Sequence, residues 1–418
     1  MNTDNQAPRR RVVITGQGVV TPIGHSVSDF WESLLQGRSG VGRITQFDAS
    51  DLPVQIAGEV KGFEPTDYMP RTVSRRVDRF AQFAVAAAMQ ALDDAKLVIN
   101  GGNSDRIGVL VGSGYGATGL LQNTALQLES RGVRSIAPWV SAASAIDSAA
   151  GEIALRLGAT GPSGAVSTAC ASGTTSIGQA MRLIQHGEAD VIFAGGSDNA
   201  VTSVDIASGA TTRALSRRND SPESASRPFD SDRDGFVMSG GAGILVLESL
   251  EHAMDRGAPI LAEVIGYGET SDAHHPTAPH PEGRGAQRAM RLAMADAGVE
   301  PGEVDYINAH GTSTLLNDRT ESAAIRQVFG DHAPKLAISS VKSMTGHMIG
   351  AAGSVELIAT VQAIRNGVVP PTINCHNPED PGLNYVPHVP QERKTVVAMS
   401  NSFGFAGHNA VVVVRAVD

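Results

Sequence analysis

Cys170 is one of only two cysteines in the chain, the other being Cys375. It sits in VSTACASGTTSIGQAM, where a β-rich run ends, small residues make a tight bend and an amphipathic helical pattern begins. A thiol at such a junction faces the positive end of a helix and its unpaired N–H groups. That setting is expected to lower its pKa from about 8.5 toward neutrality, which makes a nucleophile. Ala169, Ala171, Ser172 and Gly173 are small enough to leave room for a carbonyl group and a backbone N–H donor to it. Taken alone, the segment suits a buried inert cysteine equally well. Three further segments carry groups of complementary chemistry: His310 in YINAHGTSTLLND, Lys342 and His347 in SSVKSMTGHMIGAAGSVE, and the glycine-rich SNSFGFAGHN near the end. Gly404 and Gly407 in the last of these permit unusual backbone close to a ligand. A histidine at a strand end is more often a satisfied core residue than a catalyst, so it is the combination of the four segments that carries weight.

The elements that must position these groups alternate between short β-branched runs and Ala-rich helical stretches. Strands are expected at 11–15, 107–111, 165–168, 191–194 and 241–248, with helices at 78–95, 149–157 and 174–186. The pattern then restarts. Strands at 260–268, 304–309, 336–339, 395–400 and 410–414 alternate with helices at 285–297, 321–329 and 351–365. This alternation indicates an α/β fold with sheets covered by helices. Each half has a strand ending at a reactive residue, Cys170 in the first and His310 in the second. We read a weak internal duplication joined near Arg256–Pro259, dividing the chain into 1–258 and 259–418.

With 418 residues, 41% of them hydrophobic, the chain has material for a large core. A net charge of -10 argues against a general nucleic-acid binder. Two cysteines make no disulfide framework, which favours a reducing, cytoplasmic setting. No apolar run approaches the roughly 20 residues needed to span a bilayer, so no membrane association is expected. Arg9–Arg11 open like a twin-arginine signal, but the VVITGQGVVTPIG that follows is short, glycine-broken and without a cleavage site, and reads as a strand.

Several motifs point elsewhere and are set aside. Gly114-x-Gly116-x-x-Gly119 follows a strand, yet no acidic residue stands at the distance a dinucleotide site requires. Asp230-x-Asp232-x-Asp234-Gly235 begins like a calcium loop, but its twelfth position is Gly241, so a charged surface turn is expected. His274, His275 and His280 lack metal-ligand spacing and partners. Cys375, in TINCHNPEDPG, reads as an unreactive thiol.

In combination, TACASG, NAHGTST, KSMTGH-x-x-GAAG and NSFGFxG resemble the β-ketoacyl-acyl-carrier-protein synthases of the thiolase-like superfamily, and the long-chain elongating type II enzymes most closely. The resemblance runs from VVITGQGVVTPIG through RPFDSDRDGFVMSGGAG to the C-terminal motif. It implies a thiolase-like fold of two pseudo-duplicated halves in α-β-α-β-α layers, working without metal or organic cofactor. It makes Cys170 the acyl-accepting nucleophile, His310 and His347 a histidine pair, Lys342 the lysine that tunes them and Glu356 its buried partner. Phe405 becomes a gating aromatic, its N–H and that of Cys170 forming an oxyanion hole, with Asp272 in a second gating loop, GETSDAHHPTAP. Thr312 and Thr314 become contacts for a phosphopantetheine arm. The reaction implied is decarboxylative condensation of an acyl thioester with a malonyl-carrier protein, in a homodimer. Thiolases share the fold but usually add a second cysteine, so the Cys-His-His set favours decarboxylation.

The chain also departs from that pattern. Leu315, Leu316, Asn317 and Asp318 replace a common Pro-x-Gly-Asp, and Ala406 stands where glycine is usual. Tyr115 replaces an aliphatic residue and is expected to obstruct the usual acyl channel, while Gly209 replaces a phenylalanine and is expected to open space. Arg71, Arg75, Arg76, Arg134 and Arg213 correspond to positions that dock an acidic carrier protein. A ketosynthase of a specialised polyketide or unusual-lipid pathway would use the same residues. A non-catalytic partner subunit would usually lack the cysteine.

Overall fold

The computed structural model describes residues 9–417; the first eight residues of the N-terminal segment lie outside them. Ten strands make up the main sheet: β1 (Val12–Val20), β2 (Ile107–Gly112), β3 (Ser163–Val166), β4 (Val191–Asn199), β5 (Gly240–Ser249), β6 (Ala262–Ser271), β7 (Tyr306–Asn308), β8 (Ala337–Ser339), β9 (Val397–Phe403) and β10 (His408–Arg415). In the first half the order is β1-β5-β4-β2-β3, and in the second β6-β10-β9-β7-β8. Each strand has its counterpart five strands later. The pairing senses repeat as well: antiparallel, antiparallel, parallel, parallel in both halves. The halves join where Val12–Ile14 of β1 pairs with Ala262–Val264 of β6. The duplication expected from the sequence is thus present in the topology.

Six helices repeat in the same way: α1 (Arg79–Ala95), α2 (Ser148–Leu157) and α3 (Ser172–Gln185), then α4 (Arg284–Ala297), α5 (Leu315–Phe329) and α6 (Ala352–Asn366). Helices α3 and α6 touch each other and strands of both halves, so they form a middle layer; α1 and α2 cover the outer face of the first half, α4 and α5 that of the second. This is the expected α-β-α-β-α stack. α3 and α6 are buried on nearly every side, which is why their sequences are rich in Ala, Gly, Ser and Thr rather than in one apolar stripe.

Glycine allows the closest approaches. A Cβ on Gly16 or Gly18 of β1 would lie 2.3 or 1.9 Å from the carbonyl oxygens of Ala91 and Ala87 on α1. Gly266 and Gly268 of β6 face Ala293 and Ala289 of α4 at 2.3 and 2.2 Å. The same device therefore seats the outer helix in each half.

Element types agree with the sequence reading, and several bounds differ. α5 starts at Leu315, not Glu321, because the Thr314 side chain caps it by accepting from the Asn317 N–H. Several helices escaped the reading, among them Thr118–Arg131, Ser203–Thr211 and Val27–Leu35. The first buries no residue, so it carries no clear apolar stripe to recognise. Asp230 is also fully buried rather than part of a surface turn: it accepts from the N–H groups of Asp232, His376 and Asn377. Three alternating aspartates gave no hint of a partner some 150 residues away.

Candidate active site

Cys170 lies between β3 and the first turn of α3, on an elbow that forces Ala169 into the left-handed region at φ 50°. That conformation costs a non-glycine residue about 1–2 kcal/mol. Local hydrogen bonds hold it: the Ser172 hydroxyl accepts from the Thr168 N–H and donates to the Ala169 carbonyl, and the Thr168 hydroxyl bonds that of Thr175. The expected lowering of the thiol pKa is not what the structure presents. Burial pushes Cys170 up to about 11, against the opposing effects of the Phe405 N–H and the Lys342 charge. The first-turn N–H groups that would act on the sulfur are already engaged, Ala171 donating to Thr168 and Ser172 to Ala169. At rest, therefore, the sulfur carries its proton.

His310 follows β7. Its own N–H and that of Gly311 donate to the two carboxylate oxygens of Glu321 on α5, each at 2.8 Å. His347 is held through its backbone, which bonds Val237 and Ser239. The two imidazole rings stand edge to face, 5.4 Å between centroids. Lys342 Nζ lies 3.4 Å from His310 Nδ1 and forms a short ion pair with Glu356 of α6, both side chains being buried. A lysine donating to Nδ1 leaves the proton of a neutral His310 on Nε2. Burial first, then the Lys342 charge, holds both histidines well below their ordinary pKa. Both are neutral N–H donors at physiological pH, as a site that stabilises a developing oxyanion requires.

The C-terminal loop closes over the sulfur. A Cβ on Gly404 would stand 3.1 Å from the Cys170 nitrogen and 2.9 Å from the Thr168 oxygen, so glycine keeps the space before the Cys170 N–H open. The Phe405 N–H is directed at the sulfur. These are the two expected oxyanion donors. Ala406 takes the left-handed conformation at φ 60° that glycine usually supplies, and its N–H donates to Pro276 at 2.7 Å. Asp272 ties the two loops together. Its N–H donates to Gly407, and its carboxylate accepts from Asn409 Nδ2 and the His280 N–H, both at 2.9 Å.

Cys170, His310, His347, Phe405, Asp272, Thr312, Thr314, Tyr115 and Arg213 all line one cavity of about 370 Å³. Lys342 and Glu356 sit behind its wall. Gly209 is not among the lining residues and does not open space: a Cβ there would meet Leu215 Cδ1 at 2.9 Å and Met238 Cε at 3.1 Å. Those two side chains fill the volume that a larger residue would take. Arg71, Arg75, Arg76, Arg134 and Arg213 are exposed, and of these Arg213 reaches the cavity. The sequence reading missed two supporting carboxylates. Glu321, raised to about 7 by burial, anchors the His310 loop. Asp198 accepts from the Ser113 hydroxyl and from the N–H groups of Gly114, Tyr115 and Gly350, joining the Tyr115 loop to the turn after His347. Asp318 and Glu321 share a helix face three residues apart, a signal available only once α5 is begun at Leu315.

Comparison with known proteins agrees with this geometry. Residues 9–253 match the family description "Beta-ketoacyl synthase, N-terminal domain" and residues 261–376 "Beta-ketoacyl synthase, C-terminal domain". The chain is 50% identical over 408 residues to a 3-oxoacyl-[acyl-carrier-protein] synthase 2 of Synechocystis sp., covering 97% of this chain and 98% of that protein. It is 48% identical over 410 residues to the protein of the same name from Coxiella burnetii, covering 98% and 99%. Among solved structures, the ishigamide ketosynthase/chain length factor superposes with a TM-score of 0.90 at 40% identity, over 98% of this chain and 100% of that one. A type II polyketide acyl-carrier protein in complex with its ketosynthase gives 0.90 at 35% identity, over the same shares. With its layered fold and its cysteine and paired histidines in one cavity, the chain belongs to the β-ketoacyl synthase family.

Proposed function

We propose that this chain is a β-ketoacyl-acyl-carrier-protein synthase that elongates fatty acyl chains by decarboxylative condensation. The single observation that carries this reading is the convergence of Cys170, His310 and His347 on one cavity, with both imidazoles held neutral. In the first half-reaction Cys170 Sγ attacks an acyl thioester and the Cys170 and Phe405 N–H groups receive the oxyanion. The carrier thiol leaves with the proton that the sulfur gives up. In the second, a malonyl thioester loses carbon dioxide, and N–H donation from His310 and His347 stabilises the enolate without a metal. The enolate carbon then attacks the acyl carbonyl, the bond to sulfur breaks, and the β-ketoacyl product is two carbons longer.

Lys342 acts in this scheme through the histidines, and Glu356 compensates its charge. Thr312 and Thr314 receive the pantetheine arm. The carrier is an acidic acyl carrier protein, met by the exposed Arg71, Arg75, Arg76, Arg134 and Arg213. The working unit is a cytoplasmic homodimer, with the cysteine in 1–258 and the histidines and lysine in 259–418. Helix Thr118–Arg131 supports the dimer, since it buries nothing within the chain and exposes Leu121, Leu126 and Leu128. A second reading, a ketosynthase of a specialised polyketide or unusual-lipid pathway, draws on Tyr115 in the cavity wall. One experiment addresses both. The protein and its Cys170→Ala variant are incubated with acyl-carrier thioesters of six to sixteen carbons and weighed intact. An acyl mass confined to the unmodified protein is expected, and the best-loaded chain length separates the two pathways. A folded protein that takes no acyl group from any carrier would refute the proposal.

A further inference from the structure

Asp198, near the end of β4, is fully buried, and its carboxylate collects four donors from two sides of the catalytic cavity. Oδ1 accepts from the Ser113 hydroxyl at 2.7 Å and the Tyr115 N–H at 3.0 Å. Oδ2 accepts from the Gly114 N–H at 2.8 Å and the Gly350 N–H at 2.7 Å. Burial pushes the pKa of this carboxyl up, and the groups opposing it are those four donors, with no cation among them. Burying a charge is costly, so what Asp198 contributes is geometry rather than stability.

That geometry concerns two walls of the cavity. Tyr115 and Ile349 both line it, together with Gly114 and Cys170. Ile349 is a β-branched residue in the left-handed region at φ 50°, a conformation that persists only where the surroundings over-determine it. The N–H of the next residue, Gly350, is the one that Asp198 fixes. The walls are also packed without slack. A Cβ on Gly114 would lie 2.6 Å from Ile349 Cγ2, and one on Gly350 would lie 2.6 Å from both Asp198 Oδ2 and the Gly114 nitrogen. The carboxylate therefore sets the separation of the two walls. We propose that Asp198 is a positioning residue for acyl-chain selectivity, holding the Tyr115 wall against the Ile349 wall beside Cys170. The assignment rests on the acyl-transfer reading above.

Asp198→Asn keeps the shape and replaces one oxygen by an NH2 group. The Gly114 and Gly350 N–H groups cannot turn away, whereas the Ser113 hydroxyl can rotate to accept. The amide oxygen therefore stays on the glycine side, and the NH2 group meets the Tyr115 N–H and releases that wall. Cys170 acylation is measured with carrier thioesters of eight and sixteen carbons. The ratio of kcat/KM for the longer over the shorter is expected to rise about tenfold, the scale on which pocket contacts discriminate. In a Tyr115→Ala background, where the wall is already gone, the same substitution is expected to leave the ratio unchanged. Ser113→Ala removes one donor to Asp198 and the acceptor of the Gly116 N–H. It is expected to move the ratio in the same direction, and it decides the matter if Asp198→Asn does not fold. An unchanged ratio would overturn the assignment. So would an equal fall at both lengths, the mark of a merely structural role, or a shift that persists without the Tyr115 ring. Wild-type protein acylated by neither carrier would refute the acyl-transfer reading itself, a failure visible before any variant is made.

Discussion

Replacing Lys342 by Met tests the electrostatic core of the mechanism, because the substitution keeps the stem and removes only the charge. Lys342 Nζ lies 3.4 Å from His310 Nδ1. At about 4 Å and an effective dielectric near 20, a cation opposes protonation of an imidazole by about 4 kcal/mol. Burial of His310 is unchanged by the substitution and continues to hold its pKa down. His310 should therefore titrate higher than in the unmodified protein. The sign follows from the chemistry: the neutral imidazole donates to the enolate, so a raised pKa moves the acid limb of decarboxylation upward. Measured as carbon dioxide release from malonyl-carrier protein in a Cys170→Ala background, the limb should climb toward neutral pH. Stability changes separately, since Glu356 loses its buried partner, a break that costs about 3–5 kcal/mol. Lys342→Met/Glu356→Gln should recover much of that stability while keeping the shifted limb. An acid limb that stays in place would refute the reasoning about His310. A double variant no more stable than the single one would refute the reasoning about the pair.

Other expectations follow from the same geometry. With its thiol near 11 in the empty cavity, Cys170 should be alkylated by iodoacetamide at a rate rising about tenfold per pH unit between pH 8 and 10; a plateau by pH 8, followed by mass spectrometry, would contradict it. Tyr115→Ile should move the best-loaded acyl group to a longer chain, since Tyr115 lines the cavity; an unchanged loading profile would remove Tyr115 as a determinant of chain length. Ala406→Gly relieves a left-handed alanine and should raise stability by up to about 1 kcal/mol. A lowered melting temperature would show that the loop does not carry that strain.

Much of this protein was legible in its sequence because the decisive signals are local. Residue types at strand ends, the small residues around Cys170 and the restart of the strand–helix pattern depend on near neighbours in the chain. They sufficed for the α/β class and the duplication, and together with the family resemblance they singled out Cys170, His310, Lys342 and His347. The tertiary structure decided what depends on distance and burial. Helix Thr118–Arg131 left no periodic trace because none of its residues is fully buried and Leu120 alone leans on the core. Glu321 and Asp198 gained their positions from backbone N–H groups remote in sequence or on other elements. The space beside Gly209 was taken by Leu215 and Met238, which no reading of SVDIASGATTRALS reveals. The thiol expected to be acidic is held protonated, because desolvation outweighs a helix terminus whose first N–H groups are already bonded. The sequence by itself determined which groups meet, and only the folded interior, through its low dielectric and its filled volumes, decided their charge states and the shape of the space between them.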